Sequence, residues 1–179
     1  MKKILLIALM MVCFVSPIHA ECDKNDSSFT IDLNEQGRFE KIFDDGSSII
    51  IEDVYESTNA RAGLTVSGKK ITGTTALGRI SLSFFIDTKA YMENDDPENP
   101  IYYTKITNYY GKAVTVYAGT YTDDKFICYN LKETYNNPAE IALKAIINAD
   151  YKDIPLKFLQ KNVKLKATIS NGYLTVKME

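Results

Sequence analysis

The sequence predicts a mostly β domain, α+β by count: an antiparallel sheet, sandwich or barrel of about nine or ten strands, one late buried helix and a C-terminal hairpin. Three observations carry that reading. Ile80, Leu82, Phe84 and Ile86 alternate with Ser81, Ser83, Phe85 and Asp87, the period of two that marks a half-buried strand. Two Tyr/Thr-rich runs, Ile101–Asn108 and Ala113–Tyr121, follow it. Turn dipeptides such as Asp45-Gly46 and Asn171-Gly172 punctuate apolar runs along the rest of the chain.

Residues 1–20 stand outside this domain. Lys2 and Lys3 precede the twelve-residue apolar run Ile4–Val15, Pro17 interrupts it, and Ala20 supplies a small residue for cleavage. Twelve residues are too few to cross a hydrocarbon layer of about 30 Å. A cleaved secretory signal is therefore expected, leaving a single β-rich domain over 21–179, periplasmic or extracellular, with no membrane insertion after cleavage. The leader takes two lysines and the only histidine (His19) with it. The 21 basic residues become 19 against 23 acidic ones, a net of −4, which argues against nucleic acid as a partner. Acids crowd residues 21–60 and bases crowd 132–179, so the two ends are expected to differ in charge.

With Cys13 in the leader, Cys22 and Cys128 remain, and in an exported chain they are expected to form a disulfide. Closing a loop of ~100 residues is worth up to about 4.7 kcal/mol in the chain-entropy model. The competing expectation is a loose Cys22 and a buried Cys128 acting as a small hydrophobe.

Taken in order, Phe29–Leu33 alternates as a first strand. Gln36-Gly37 turns into Arg38–Phe43, and Asp45-Gly46 leads into Ile49–Val54. Leu64–Val66 and Lys70–Thr72 read as a small hairpin around Ser67-Gly68. The central strand runs from Ile80 to near Met92. Glu93–Pro100, with two prolines and four acids, must be a loop. Asn108–Lys112 reads as a Gly-containing turn, Gly119–Asp124 as another, and Phe126–Leu131 as a strand. Asn137-Pro138-Ala139-Glu140 resembles a capped helix start, and Ile141 to Ala149 is apolar most of the way round, which predicts a buried helix over 137–150. A further helical turn is expected within Ile154–Lys161. Asn171-Gly172 predicts a type I′ hairpin pairing Ile169 with Leu174, Ala167 with Val176 and Leu165 with Met178. That register also opposes Lys166 and Lys177, whose repulsion needs an acid nearby, with the acidic first third as the expected donor.

Catalytic signals are sparse. Without histidine in 21–179, Ser-His-Asp and Cys-His mechanisms and imidazole-based zinc sites are excluded. Ser67-Gly68-Lys69-Lys70 matches S-x-x-K, and Tyr121 and Lys125 have a tyrosine–lysine spacing, but neither lies in the helical or dinucleotide-binding context that such chemistry needs. The acidic loop lacks the ligand spacing and glycine of an EF-hand, so neither a metal nor a cofactor is expected.

The tyrosines point toward recognition. Tyr102, Tyr103, Tyr109, Tyr110, Tyr117 and Tyr121 are half of the chain's twelve. Successive strand residues face opposite ways, so Tyr102 and Tyr103 cannot both be core. Tyrosine suits interfaces because a large area and a hydroxyl come at low entropy cost. The competing explanation is that aromatic residues form strands well. The expected function is thus an exported, non-catalytic binding protein, of inhibitor, immunity or surface-assembly type. It would recognise a protein partner through Tyr102, Tyr103, Tyr109, Tyr110 and Tyr117. A protein is favoured over a glycan because the chain has no Trp for sugar stacking. One alternative is a lipocalin-like carrier with an apolar cavity lined by Leu82, Phe84, Ile86 and Val116, although the tryptophan usual near the first strand of such barrels is missing. The other is a hydrolase using two carboxylates in a cleft.

Overall fold

A computed structural model describes residues 27–57, 66–76, 79–94, 98, 101–117, 119–151 and 154–179. Cys22, the leader and most of the acidic loop lie outside them. The described residues form ten strands and no α-helix: β1 Ser28–Asp32, β2 Arg38–Ile42, β3 Ser48–Ser57, β4 Val66–Thr74, β5 Ile80–Met92, β6 Tyr102–Val116, β7 Thr120–Asn130, β8 Ala139–Tyr151, β9 Ile154–Ser170 and β10 Tyr173–Met178. They make two antiparallel five-stranded sheets, ordered β1-β10-β9-β8-β7 and β2-β3-β4-β5-β6. Nearly every strand pairs with its neighbour in sequence, and β1 closes onto β10.

The two sheets therefore meet along two seams. At the β6/β7 seam, the Ile106 N–H donates to Leu131 O (2.8 Å) and the Glu133 N–H to Thr104 O (3.0 Å). Farther along, side chains join the strands: Lys112 Nζ lies 2.8 Å from Asp124 Oδ2, and the Tyr109 ring sits 5.0 Å from Phe126. At the β1/β2 seam, Lys41 Nζ donates to Ser28 O (3.0 Å).

One core fills the space between the sheets. Ile49, Ile51, Ile71, Leu82, Phe84 and Ile86 from one face pack with Ile141, Leu143, Leu165, Ile169, Leu174 and Val176 from the other, all without solvent exposure. The approach is closest at Gly73, where an added Cβ would lie 2.6 Å from Leu165 Cδ1 and 3.0 Å from Met178 Sδ. Lys69 is also buried, 1% exposed, on the same side of β4 as Ile71 and Gly73. Its Nζ reaches Asp53 Oδ1 (2.5 Å) and Glu35 O (2.7 Å). Asp53 Oδ2 in turn accepts the Gly37 N–H (2.6 Å), so this ion pair ties the β1–β2 connection to β3 and β4. Glu133 plays a comparable part at the β6/β7 seam. Its carboxylate accepts the Thr104 N–H (2.8 Å) and the Asn171 N–H (2.5 Å), and it is 2% exposed.

The helix expected over 137–150 is not formed. Ala139–Tyr151 is β8, hydrogen-bonded to β7 on one side and β9 on the other. Ile141, Leu143, Ala145 and Ile147 belong to the core, while Ala142 is fully buried on the opposite side, beside Ile127 and Lys166. Ala142 and Ile146 among the outward positions of β8 make a strand with one core face look as apolar all round as a buried helix, and the isoleucines favour the strand. Asn137 and Pro138 form no helix start: Asn137 exchanges backbone hydrogen bonds with Thr134, and Asn130 Nδ2 donates to Pro138 O (3.0 Å). Ile154–Lys161, expected to hold a helical turn, opens β9.

Three expected turns are absent as well. Gly119–Asp124 is no turn, because β7 begins at Thr120 and runs on through Asp123, at φ 53°, and Asp124. Gly111, at φ +63°, bends β6 without ending it, and an added Cβ there would strike the Phe85 ring at 2.5 Å. The small hairpin expected around Ser67-Gly68 is one continuous strand, β4. The C-terminal hairpin has the expected register throughout, with Asn171 at φ 51° and Gly172 at φ 81°. Lys166 and Lys177 do oppose each other. The compensating acid is not from the first third of the chain but Glu140 on β8, 2.9 Å from Lys166 Nζ.

Candidate binding surface

β6 pairs with β5 along one edge and meets β7 across the seam along the other, so its outward side chains lie at the margin of the molecule. Three of the five singled-out tyrosines are exposed: Tyr102 at 59%, Tyr110 at 36% and Tyr117 at 87%. Tyr102 stands opposite Met92, itself 43% exposed. Tyr110 stacks on Phe85, with ring centroids 5.3 Å apart and planes 9° from parallel. The surface continues onto β7 through Tyr121 and Tyr129 and onto the following turn through Tyr135, all exposed.

The other two tyrosines are half-buried and serve the fold. Tyr109 packs against the core beside Phe126. Its hydroxyl ionises above the ordinary tyrosine value, first because it hydrogen-bonds Cys128, then through the charge of that cysteine and through burial. Tyr103 lies 6.2 Å from Tyr91, ring to ring. Burial, followed by the charges of Glu93 and Glu133, raises the pKa of both the Tyr91 and Tyr103 hydroxyls. The Tyr91 hydroxyl donates to Glu133 O.

Cys128 is a free, exposed cysteine at the seam, and no disulfide joins described residues. Its expected partner, Cys22, lies outside them. β7 and β1 are the two edges of one five-stranded sheet, roughly 19 Å apart at ~4.8 Å per strand step. The six residues from Cys22 to Ser28 span at most ~22 Å. A disulfide itself adds about 4.4–6.8 Å between Cα atoms, so six residues are long enough for the bridge.

The outer face of the β2–β6 sheet carries a row across all five strands: Arg38, Glu52, Lys70, Phe85 and Tyr110. Arg38 and Lys70 both pair with Glu52, at 3.1 and 3.4 Å. Beside this row lies a surface groove of about 520 Å³ lined by Gly37, Arg38, Glu52, Asp53, Val54, Lys70 and Phe85. Both of its acids are ion-paired: Glu52 with Arg38 and Lys70, and Asp53 with buried Lys69. The S-x-x-K motif lies in strand β4, not in the helix such a serine–lysine pair needs. Among the described residues no group of three His, Cys, Asp or Glu could hold a metal. Asp95 and Asp96 of the acidic loop lie outside them. Leu82, Phe84 and Ile86, the residues named for an apolar cavity, are core residues packed against the facing sheet, and Val116 packs beside them.

One cluster was not apparent in the sequence. Lys89 stands directly opposite Lys105 on β6, and Lys105 directly opposite Lys132. The three side chains share the outer face, because Thr88, the neighbour of Lys89, is buried. The next position along holds Tyr91 opposite Tyr103, and Lys132 Nζ sits 4.5 Å from the Tyr91 ring centroid. No local run of lysines signals the cluster, since its members are 16 and 27 residues apart.

No family model matches the chain, and no curated protein or solved structure is significantly similar to it.

Proposed function

We propose that the domain is an exported, non-catalytic binding protein that captures a protein partner through the tyrosine- and threonine-rich surface of β6 and β7. The observation that carries this reading is the solvent exposure of Tyr102, Tyr110 and Tyr117 along a marginal strand, with Met92, Tyr121 and Tyr129 exposed as well. Large aromatic side chains in water contribute little to folding, whereas at an interface each can anchor a contact. The leader supports the exported location, and secreted protein beginning at Glu21 is the expected product of cleavage.

The test is a set of single Tyr→Ala variants, measured for thermal stability and for recovery of the partner from an envelope or culture extract. Tyr102→Ala and Tyr117→Ala should melt within about 0.5 kcal/mol of the parent, as surface changes do. A hot-spot tyrosine among them should cost about 2 kcal/mol or more of binding. Tyr109→Ala, which opens a hole against Phe126, should instead unfold the protein more easily. Normal capture by every exposed-tyrosine variant rejects the reading.

A further inference from the structure

We infer that the Lys89–Lys105–Lys132 row is an anion-recognition site that docks an acidic segment of the partner protein. The inference rests on the protein-partner reading above and names the chemistry of that partner.

The row is electrostatically unfavourable for the isolated chain. Like charges directly opposed across strands are destabilising. Lys105 and Lys132 form the closer kind of antiparallel pair, because the flanking bonds run from Ile106 N to Leu131 O and from Glu133 N to Thr104 O. In that arrangement the facing Cα atoms are about 4.5 Å apart and the side chains closest. Other opposed lysines on this protein are relieved: Lys166, facing Lys177, pairs with Glu140, and Lys164, facing Lys144, pairs with Glu179. Among the described residues, none of Lys89, Lys105 and Lys132 has an acid within ion-pair distance. The acids that do stand near are committed elsewhere. Glu133 is buried on the Thr104 and Asn171 N–H groups, and Glu93 lies toward the Tyr91 and Tyr103 hydroxyls, whose ionisation its charge opposes. Three cations in line with no ion-paired acid among the described residues, on a chain whose overall charge is negative, fit a ligand that brings its own negative charges.

The surroundings favour a peptide as the bearer of that charge. Tyr91 and Tyr103 occupy the adjoining row on the same face, and exposed Ile101, two residues before Tyr103, continues it, so carboxylates on the lysines would lie beside an apolar, aromatic strip. A bare anion uses the first feature and leaves the second idle. An acidic segment interspersed with apolar side chains uses both.

The probe is a fluorescent octaglutamate peptide titrated against the folded domain at low salt, read by anisotropy, with Lys89, Lys105 and Lys132 changed to Gln singly and together. The triple variant should bind the peptide about tenfold or more weakly, three exposed charge contacts being lost. Lys105→Gln, which removes the central charge, should melt at or above the parent temperature while binding less. Lys144→Gln, on the other sheet, should leave peptide binding unchanged. Equal peptide binding by parent and triple variant overturns the inference, as does a Lys105→Gln protein that melts lower. Ladder-dependent binding of pyrophosphate or of anionic phosphatidylglycerol vesicles, with none of the peptide, would overturn it in favour of a small anion or a lipid surface. Partner capture separates the two levels. A triple variant that captures the partner normally refutes the acidic-segment inference alone. Exposed-tyrosine variants that capture normally refute the reading beneath it.

Discussion

Replacing Asp53 with alanine should be among the most damaging single changes outside the apolar core, and the reason lies in Lys69. The Lys69 ammonium is 1% exposed and has two close partners, Asp53 Oδ1 and the carbonyl of Glu35. Asp53→Ala removes its counter-charge and leaves the Gly37 N–H without its acceptor. An uncompensated buried charge costs about 3–5 kcal/mol. For a domain of this size that corresponds to a fall in Tm of roughly 6–20 °C. Lys69→Met should cost less. The remaining carboxylate is 20% exposed and keeps its bond from Gly37. The double variant should recover much of the Asp53→Ala loss, because an apolar replacement of a buried pair is often close to neutral. Urea denaturation followed by circular dichroism would give the four free energies of the cycle. An Asp53→Ala protein within about 1 kcal/mol of the parent, or a double variant that loses the sum of the singles, would refute the reasoning.

Three further outcomes are expected. Gly73→Ala should destabilise by about 1–3 kcal/mol in the same denaturation assay, since its methyl must displace Leu165 and Met178 in a packed core. Glu179 is held below its ordinary pKa chiefly by its hydrogen bond to Lys164, whose own pKa the same bond raises. Stability from this pair is therefore present above the unfolded carboxylate value of about 4.3 and lost as pH falls through the lowered one. It is lost again as pH rises through the raised Lys164 value. Glu179→Gln should accordingly cost about 0.5 kcal/mol at pH 7 in low salt and nothing at pH 2, by urea titration at the two pH values. Native protein should label at Cys128 with maleimide without denaturant, and protection removed by reductant would instead reveal a bridge to Cys22.

How much of this was legible in the chain depends on whether the signal was local. The alternation of Ile80–Asp87 marked β5, and Asn171-Gly172 set the C-terminal register pair by pair, because each is a property of adjacent residues. The helix failed where local signals were ambiguous: an apolar stretch after Asn-Pro suits either a capped helix or a central strand, and the choice was made by β7 and β9. Gly111 resembled a turn because a positive φ usually makes one, yet here it accommodates Phe85 within a strand. The exposed tyrosines were half legible. Alternation required Tyr102 and Tyr103 to differ in burial but could not place Tyr109 over Phe126. The lysine row and buried Lys69 were not legible, since both depend on which residues stand opposite across strands that contain bulges.

The pairing of β1 with β10 has a consequence for how the chain must come together. Thr30 and Thr175 share a hydroxyl hydrogen bond across 145 residues of sequence. At about 5–20 residues per second, translation alone separates the appearance of the two strands by roughly 7–30 s. During that interval β1 has nothing to pair with, while β2 to β6 can assemble through hairpin contacts as they emerge. The other sheet receives its last strand when the final residues leave the ribosome. Until then β1 is an unpaired edge open to pairing with other chains, and a stop codon even a few residues before Tyr173 would leave it so permanently.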